Sequence, residues 1–359
     1  MDLIRNTIIS ALISALLITS VGVQHGVTQN TLVFDKNMRA SVLTPIEYHR
    51  PFDQTFLTFP EWYLVHSPRE FAKFIENHPP SDFPFFAHIM QFWQSYYKIT
   101  KTANETGSFN AGYHLMIMVI GMSTTAEYLL RGLYELVVGK ATAAILFRVE
   151  EDVFAAKAAQ DYVHFIEIEP WYKFDFYSRL IGVWRDTRFF DKGMIRKLER
   201  KYVLTTDFLI KWLYAKLIML ATNSIYDTPI STTSILLDRL PAKLPTALSD
   251  LHVVKTDLSG AVLITVPRYQ AFTDYALSLA KSGAKFYEIA GNRTIILFSA
   301  LLPAKNSLRY GTYSVLFQQE MITEPEWVRV ALLGPVADLA NALLHVEESG
   351  GRIEHVYDY

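Results

Sequence analysis

The chain has 359 residues, with 34 Lys and Arg against 36 Asp and Glu, and its formal net charge of −2 supplies no basic field for nucleic acid. Half of the residues are hydrophobic and 14% are aromatic. There is no cysteine, which excludes disulfides, thiolate zinc sites, cysteine-ligated iron–sulfur clusters, c-type haem attachment and thiol nucleophiles.

Thr7 to Val23 contains no charged side chain, and Leu3 and Ile4 extend the apolar run past Arg5. At about 1.5 Å per residue, roughly 20 apolar residues cross a hydrocarbon core of about 30 Å. Residues 1–24 are therefore expected to form a transmembrane anchor. A cleaved signal peptide is the competing reading, because Ser20 and Gly22 satisfy the small-residue rule before a cleavage site. In a bacterial cell either reading, if it exports the chain, puts the bulk in the periplasm, and the favoured anchor holds it at the inner membrane.

Residues 25–245 read as a mainly helical, aromatic-rich domain. Rings cluster at Pro51–Tyr63, Phe83–Tyr97 and Pro170–Phe190, and in the last cluster Lys173, Arg179, Arg185 and Arg188 interleave with them. That mixture suits a membrane headgroup layer as well as a packed core. Ser67-Pro68-Arg69-Glu70 has the form of a capping box and predicts a helix start, with the helix reaching about Asn77. After the His78-Pro79-Pro80 break, a helix is expected from about Pro84 to Thr102. Its periodicity assigns Phe86, Ile89, Trp93 and Tyr97 to the core and His88, Gln91, Ser95 and Lys98 to water.

Gly112–Gly139 is long enough to span a bilayer, but Glu127, Arg131 and Glu135 recur every four residues along one stripe. Each charge near a bilayer centre costs about 2.5–3.5 kcal/mol. A helix packed inside a water-surrounded body is the resulting expectation. Thr205–Thr222 is interrupted in the same way by Asp207, Lys211 and Lys216. The alternative is a three-span topology, in which the two sets of charges pair within the membrane.

From Thr228 to Ser249 the composition is that of a loop, and beyond it the pattern alternates. Val262–Val266 reads as a strand, Tyr269–Ala280 as a helix and Lys285–Ile289 as a strand. The same order returns at Arg329–Leu333, Val336–Val346 and Arg352–Val356, with strands expected between at Arg293–Ala300 and Tyr310–Met321. Residues 250–359 are thus expected to form a ferredoxin-like α/β sandwich with a βαβ repeat, and the chain as a whole is assigned to the α+β class. That fold does not specify a function.

Chemistry is sparsely signposted. The sequence contains no nucleophile elbow, phosphate-binding glycine loop, zinc-protease motif or dinucleotide fingerprint. Asp161, His164 and Glu167 are candidate metal ligands, although a di-iron bundle needs a second such set. Glu61, close to His66 and surrounded by rings, is a candidate acid–base group if burial raises its pKa. Glu127, Arg131 and Glu135 are candidates to line an apolar pocket. No cofactor is implied. The expectation is a membrane-anchored, non-enzymatic binding or assembly protein of the bacterial cell envelope, whose partners are the lipid bilayer and another membrane or periplasmic protein. The alternative is a membrane-associated enzyme acting on a lipid or other apolar substrate.

Overall fold

A computed structural model describes residues 44–49, 58–105, 110–190, 192–222, 231–241, 248–305 and 311–358. These belong to one compact unit. The anchor expected at residues 1–24 lies outside the described residues. The chain is α+β, with a helical part followed by antiparallel sheets.

The helical part comprises α1 (Thr58–Phe74), α2 (Phe85–Glu105), α3 (Ala111–Tyr134), α4 (Glu150–Ile166), α5 (Phe176–Arg185) and α6 (Met194–Thr222). A π-helical turn, Glu135–Gly139, continues α3. The helix start expected at Ser67 is not a start, because α1 runs through Pro68. An interior proline costs about 3 kcal/mol, whereas burying one large apolar side chain contributes about 1.5–3 kcal/mol. Phe59, Trp62 and Tyr63 are all buried on one face of α1, and together they outweigh the proline. The Ser67 hydroxyl does not cap; it lies 2.9 Å from both His88 Nδ1 and the Tyr128 hydroxyl.

The face expected for α2 is rotated: Lys98 is exposed as expected and Ile89 and Trp93 are half-buried. Tyr97 and Phe86 are exposed, while His88 and Ser95 are buried together with Phe85, Phe92 and Ile99. The His88 face of α2 is taken up by α1 and by the sheet beneath it. Close approach of α3 is made possible by Gly121, where a Cβ would lie 2.3 Å from the Phe92 ring.

Eight strands follow, namely β1 (Thr232–Leu237), β2 (His252–Thr256), β3 (Val262–Pro267), β4 (Phe286–Ile289), β5 (Ile295–Pro303), β6 (Ser314–Glu320), β7 (Trp327–Pro335) and β8 (Arg352–Val356). Helix α7 (Gln270–Lys281) joins β3 to β4, and α8 (Leu339–Glu348) joins β7 to β8. The expected single ferredoxin-like sandwich gives way to two four-stranded sheets, ordered β2-β3-β1-β4 and β6-β7-β5-β8, with antiparallel pairing throughout. The repeat is therefore longer than the expected βαβ unit. Each copy is βββαβ, and the added strand β1 lies in the stretch read as loop and assigned to the helical domain.

Gly283 and Gly350 hold equivalent positions in the two copies. Each has a φ near +80°, which reverses the chain after its helix at no Cβ cost. Between the sheets α7 and α8 pack on one another, and Ile235, Ile264, Phe272, Leu279, Phe298, Leu332 and Leu343 form one fully buried core. The second sheet is covered on both faces, because its far side receives α1 and α2. That explains why β5 reads IILFSALLP, a continuous apolar run without strand alternation.

Leu332→Ala should cost about 2–5 kcal/mol, since the fully buried Leu332 sits where both copies share one core. Urea unfolding should show a single transition at lower denaturant; two separated transitions would mean that the copies are independent.

Candidate functional site

Two buried polar assemblies, a third that is half-buried, and one exposed apolar surface organise the helical part. The first assembly lies where α1 and α2 meet the second sheet. Arg329 on β7 reaches across β5 and donates from Nε and Nη2 to the two Glu354 oxygens, both at 2.7 Å. Nη2 also donates to Glu70 of α1 at 2.9 Å. Burial alone would raise the Glu354 carboxyl, but the forked contact with Arg329 outweighs it and holds the group down at about 2. Burial raises Glu70, its single contact with Arg329 does not reverse that, and the Glu354 charge adds to the rise.

Two imidazoles complete this layer. His88 Nε2 lies 3.5 Å from Glu70, and His66 Nδ1 lies 3.8 Å from Glu354. Burial lowers both to about 3, so they are neutral. A third, His355, stacks on Trp62 with ring centroids 3.5 Å apart.

The second assembly lies at the start of α6. Arg196, Lys197, Arg200 and Lys201 are all buried, at i, i+1, i+4 and i+5. Arg200 forms a fork to Glu135 at 2.8 and 3.1 Å, Arg196 meets Asp152 at 3.2 Å, and Glu151 takes Lys197 at 3.3 Å and Lys201 at 3.1 Å. The π-helical turn places the Glu135 carboxylate in this seam. The third assembly lies further along α6, where Lys211 meets Glu127 at 2.9 Å and Asp207 at 3.2 Å.

Helices α3 and α6 thus turn their polar stripes toward each other and toward the protein body, and their apolar sides face outward. From Ala111 to Val138 no exposed residue is charged, and Ser123 is the only polar one. Leu115 is 66% exposed, Leu130 70% and Val137 69%. On α6 the outward positions include Ile195, Leu198, Leu209, Ile210, Leu213, Leu217 and Leu220. Lys216 is the only charged residue among the exposed positions from Ile195 to Leu220. Among the described residues, no helix is long and apolar enough to cross a membrane.

The candidates from sequence fall in different places. Glu127 and Glu135 are ion-paired with Lys211 and Arg200, and the Arg131 guanidinium lies 4.3 Å from the Phe71 ring centroid. Glu61 accepts from the Tyr113 hydroxyl at 2.5 Å, and burial raises its pKa. His66 is fully buried one helical turn away, and neither of its ring nitrogens has a hydrogen-bond partner. His164 Nδ1 lies 3.9 Å from Glu167, but Glu167 also pairs with Arg69 at 2.6 Å, Asp161 pairs with Arg179 at 2.9 Å, and His164 is 80% exposed, so the three do not form one ligand set. No group of three His, Asp or Glu among the described residues is placed to hold a metal ion. His88, expected in water, is buried. Periodicity had no means of finding Arg329 or Glu354, which meet only through the second sheet.

The chain matches no family model, and no curated protein or solved structure shows significant similarity to it.

Removing Arg329 leaves two acids enclosed, so Arg329→Met should cost about 3–5 kcal/mol. Adding Glu354→Leu should recover part of that loss in urea unfolding; a purely additive second loss would show that the pair is not coupled.

His66 and His88 titrate near 3 in the folded protein and near 6.5 when unfolded. Because the folded value is the lower one, the stability they lend is complete above pH 6.5 and is lost as pH falls toward 3. In that window unfolding free energy should fall by about 1.4 kcal/mol per pH unit for each imidazole. Chemical unfolding from pH 6.5 to 4 checks this. The His66→Gln variant should show a shallower slope, and an unchanged slope would contradict the assignment.

Proposed function

We propose that this is a membrane-bound, non-catalytic binding or assembly protein of the bacterial cell envelope, held at the inner membrane by residues 1–24 with its bulk in the periplasm. In this reading the outward faces of α3 and α6 lie in the boundary between headgroups and acyl chains, and the double-sheet part stands in water and meets a protein partner. The inversion of the two helices is the observation that carries the reading.

Lys and Arg are among the residues least often fully buried in water-soluble proteins, whereas in lipid, charged groups turn toward the protein and pair. Here four cations of α6 are enclosed while Leu and Ile of the same helix are exposed. Each large aliphatic side chain left in water forgoes about 1.5–3 kcal/mol of burial. An uncharged face running from Ala111 to Val138, about 40 Å at 1.5 Å per residue, far exceeds the scattered apolar exposure of ordinary monomers. Insertion of such a face to a depth of about 5–10 Å places it in hydrocarbon without requiring a crossing. Binding is favoured over catalysis because Glu127 and Glu135 are engaged in ion pairs with Lys211 and Arg200, and the Arg131 guanidinium lies over the Phe71 ring.

The absence of native cysteine makes the test direct. Leu130→Cys and Leu217→Cys, each carrying an environment-sensitive label, should be quenched by brominated lipid when the full chain is reconstituted in vesicles. Leu258→Cys, in the β2–β3 hairpin, should not be. Equal water accessibility at all three positions would refute the membrane face.

A further inference from the structure

We propose that the cavity between the Trp171–Lys173 turn and helices α5 and α6 seats the headgroup of an anionic phospholipid, with the phosphodiester as the recognised group. This rests on the reading that the outward side of α6 meets the bilayer, and it adds a specific ligand to that surface. The cavity has a volume of about 450 Å³ and opens beside Lys216.

Its lining is amphipathic. Tyr172, Tyr177, Trp212 and Met219 supply apolar walls with two phenolic hydroxyls, and the Tyr177 and Trp212 rings lie 5.5 Å apart. Two ammonium groups, Lys173 and Lys216, and one carboxylate, Asp175, complete it. The carboxylate is held first by hydrogen bonds from Ser178 and is only secondarily under the charge of Lys216. Asp175 caps α5, accepting from the Ser178 backbone N–H at 3.0 Å and from the Ser178 hydroxyl at 2.5 Å. Lys173 is shared with Glu169 at 2.8 Å. Lys216 is the one exposed charge between Ile195 and Leu220 on α6, and the nearby Asp175 carboxylate feels its field from across the cavity.

Long Lys stems lie along apolar surface and carry their charge to the headgroup level. Basic pockets at that level recognise anionic headgroups, and aromatic rings tolerate the same boundary. A phosphodiester that arrives with acyl chains fits this arrangement better than a free phosphate does. Its headgroup meets Lys216 and the phenols, while its chains lie along Leu213, Leu217 and Leu220, which are exposed beside the cavity.

The test titrates detergent-solubilised full-length protein with short-chain phosphatidylglycerol, short-chain phosphatidylcholine and glycerol 3-phosphate, measured by calorimetry. Phosphatidylglycerol should bind more tightly than phosphatidylcholine, and Lys216→Gln should weaken it about fivefold, with Lys216→Arg retaining it. Trp212→Leu should weaken both lipids and leave the preference between them. Equal binding of the two lipids with no effect of Lys216→Gln would overturn the proposal. Glycerol 3-phosphate binding as tightly as phosphatidylglycerol would show a soluble phosphate-ester site and overturn the lipid assignment. If the headgroup preference is absent while Leu130→Cys is still quenched by lipid, the cavity assignment alone fails; if quenching is also lost, the membrane reading fails with it.

Discussion

The forked contact between Arg329 and Glu354, shared with Glu70, is the constraint from which the rest of the molecule is arranged. It joins β7 to β8 across β5 and ties the sheet to α1. One guanidinium faces two carboxylates in an enclosed layer, so the layer has one acid in excess. The opposite directions of the two carboxyl shifts follow from that count. Glu354, with two contacts, stays ionised, and Glu70, with one, is pushed up by burial and by its neighbour. The imidazoles add no charge, because burial keeps His66 and His88 neutral. Exchanging Arg329 for an apolar residue would leave the acids without a counter-charge, and that is why such a layer fixes the docking of α1 on the sheet more than it adds to stability.

The same inward direction of charge recurs along the start of α6, where it meets α4 and the turn after α3. Water as the only surrounding solvent gives no reason to enclose Arg196, Lys197, Arg200 and Lys201 while leaving Leu198, Leu209 and Leu213 outside. Rotating α6 about its axis would expose the cations and bury the leucines, each change favourable in water. The pairing is extensive enough to hold the opposite arrangement: Glu135, Glu151, Asp152 and Glu199 together meet all four cations. With lipid outside, both halves of the arrangement become favourable at once.

This also explains what the sequence disclosed and what it did not. The repeat was legible from two turns, Ser282-Gly283 and Ser349-Gly350-Gly351, because a reversal at positive φ has a narrow residue requirement. Strand β1 was not, since TTSILL is bounded by Thr, Ser and Pro and carries no alternation; it is buried on both sides between β3 and β4. For α2 the buried face is rotated from the one read, with Phe85, Phe92 and Ile99 inside in place of Phe86 and Tyr97. Periodicity identifies two faces, and assigning the apolar one to the interior presumes an aqueous exterior. Tyr97 lies outside and His88 inside, opposite to the assignment read from α2, and Glu135 is buried in its ion pair with Arg200. The buried layer was beyond any local signal, because Glu70, Arg329 and Glu354 are brought together only by the sheet order and by the register shift in the β5–β8 pairing.

The two sheet copies are alike in topology and unlike in surroundings. On the second sheet, edge strand β6 is engaged by α2, with Gln91 donating to the Glu320 carbonyl at 2.8 Å and Gln319 donating to the Gln91 carbonyl at 2.9 Å. On the first sheet the corresponding edge, β2, is exposed at every position. A duplicated unit whose copies were equally self-sufficient would need no such cover. The helical part is built onto one copy only, through the Arg329 layer, and that asymmetry gives the molecule two distinct ends. The apolar helices α3 and α6 lie on the side where the second copy is covered, and the open edge at β2, with Val253 and Val254 exposed, belongs to the other copy. Docking of α1 and α2 on the second sheet therefore does more than complete a core. It leaves the exposed apolar faces of α3 and α6 and the exposed edge strand β2 on surfaces built by different parts of the chain.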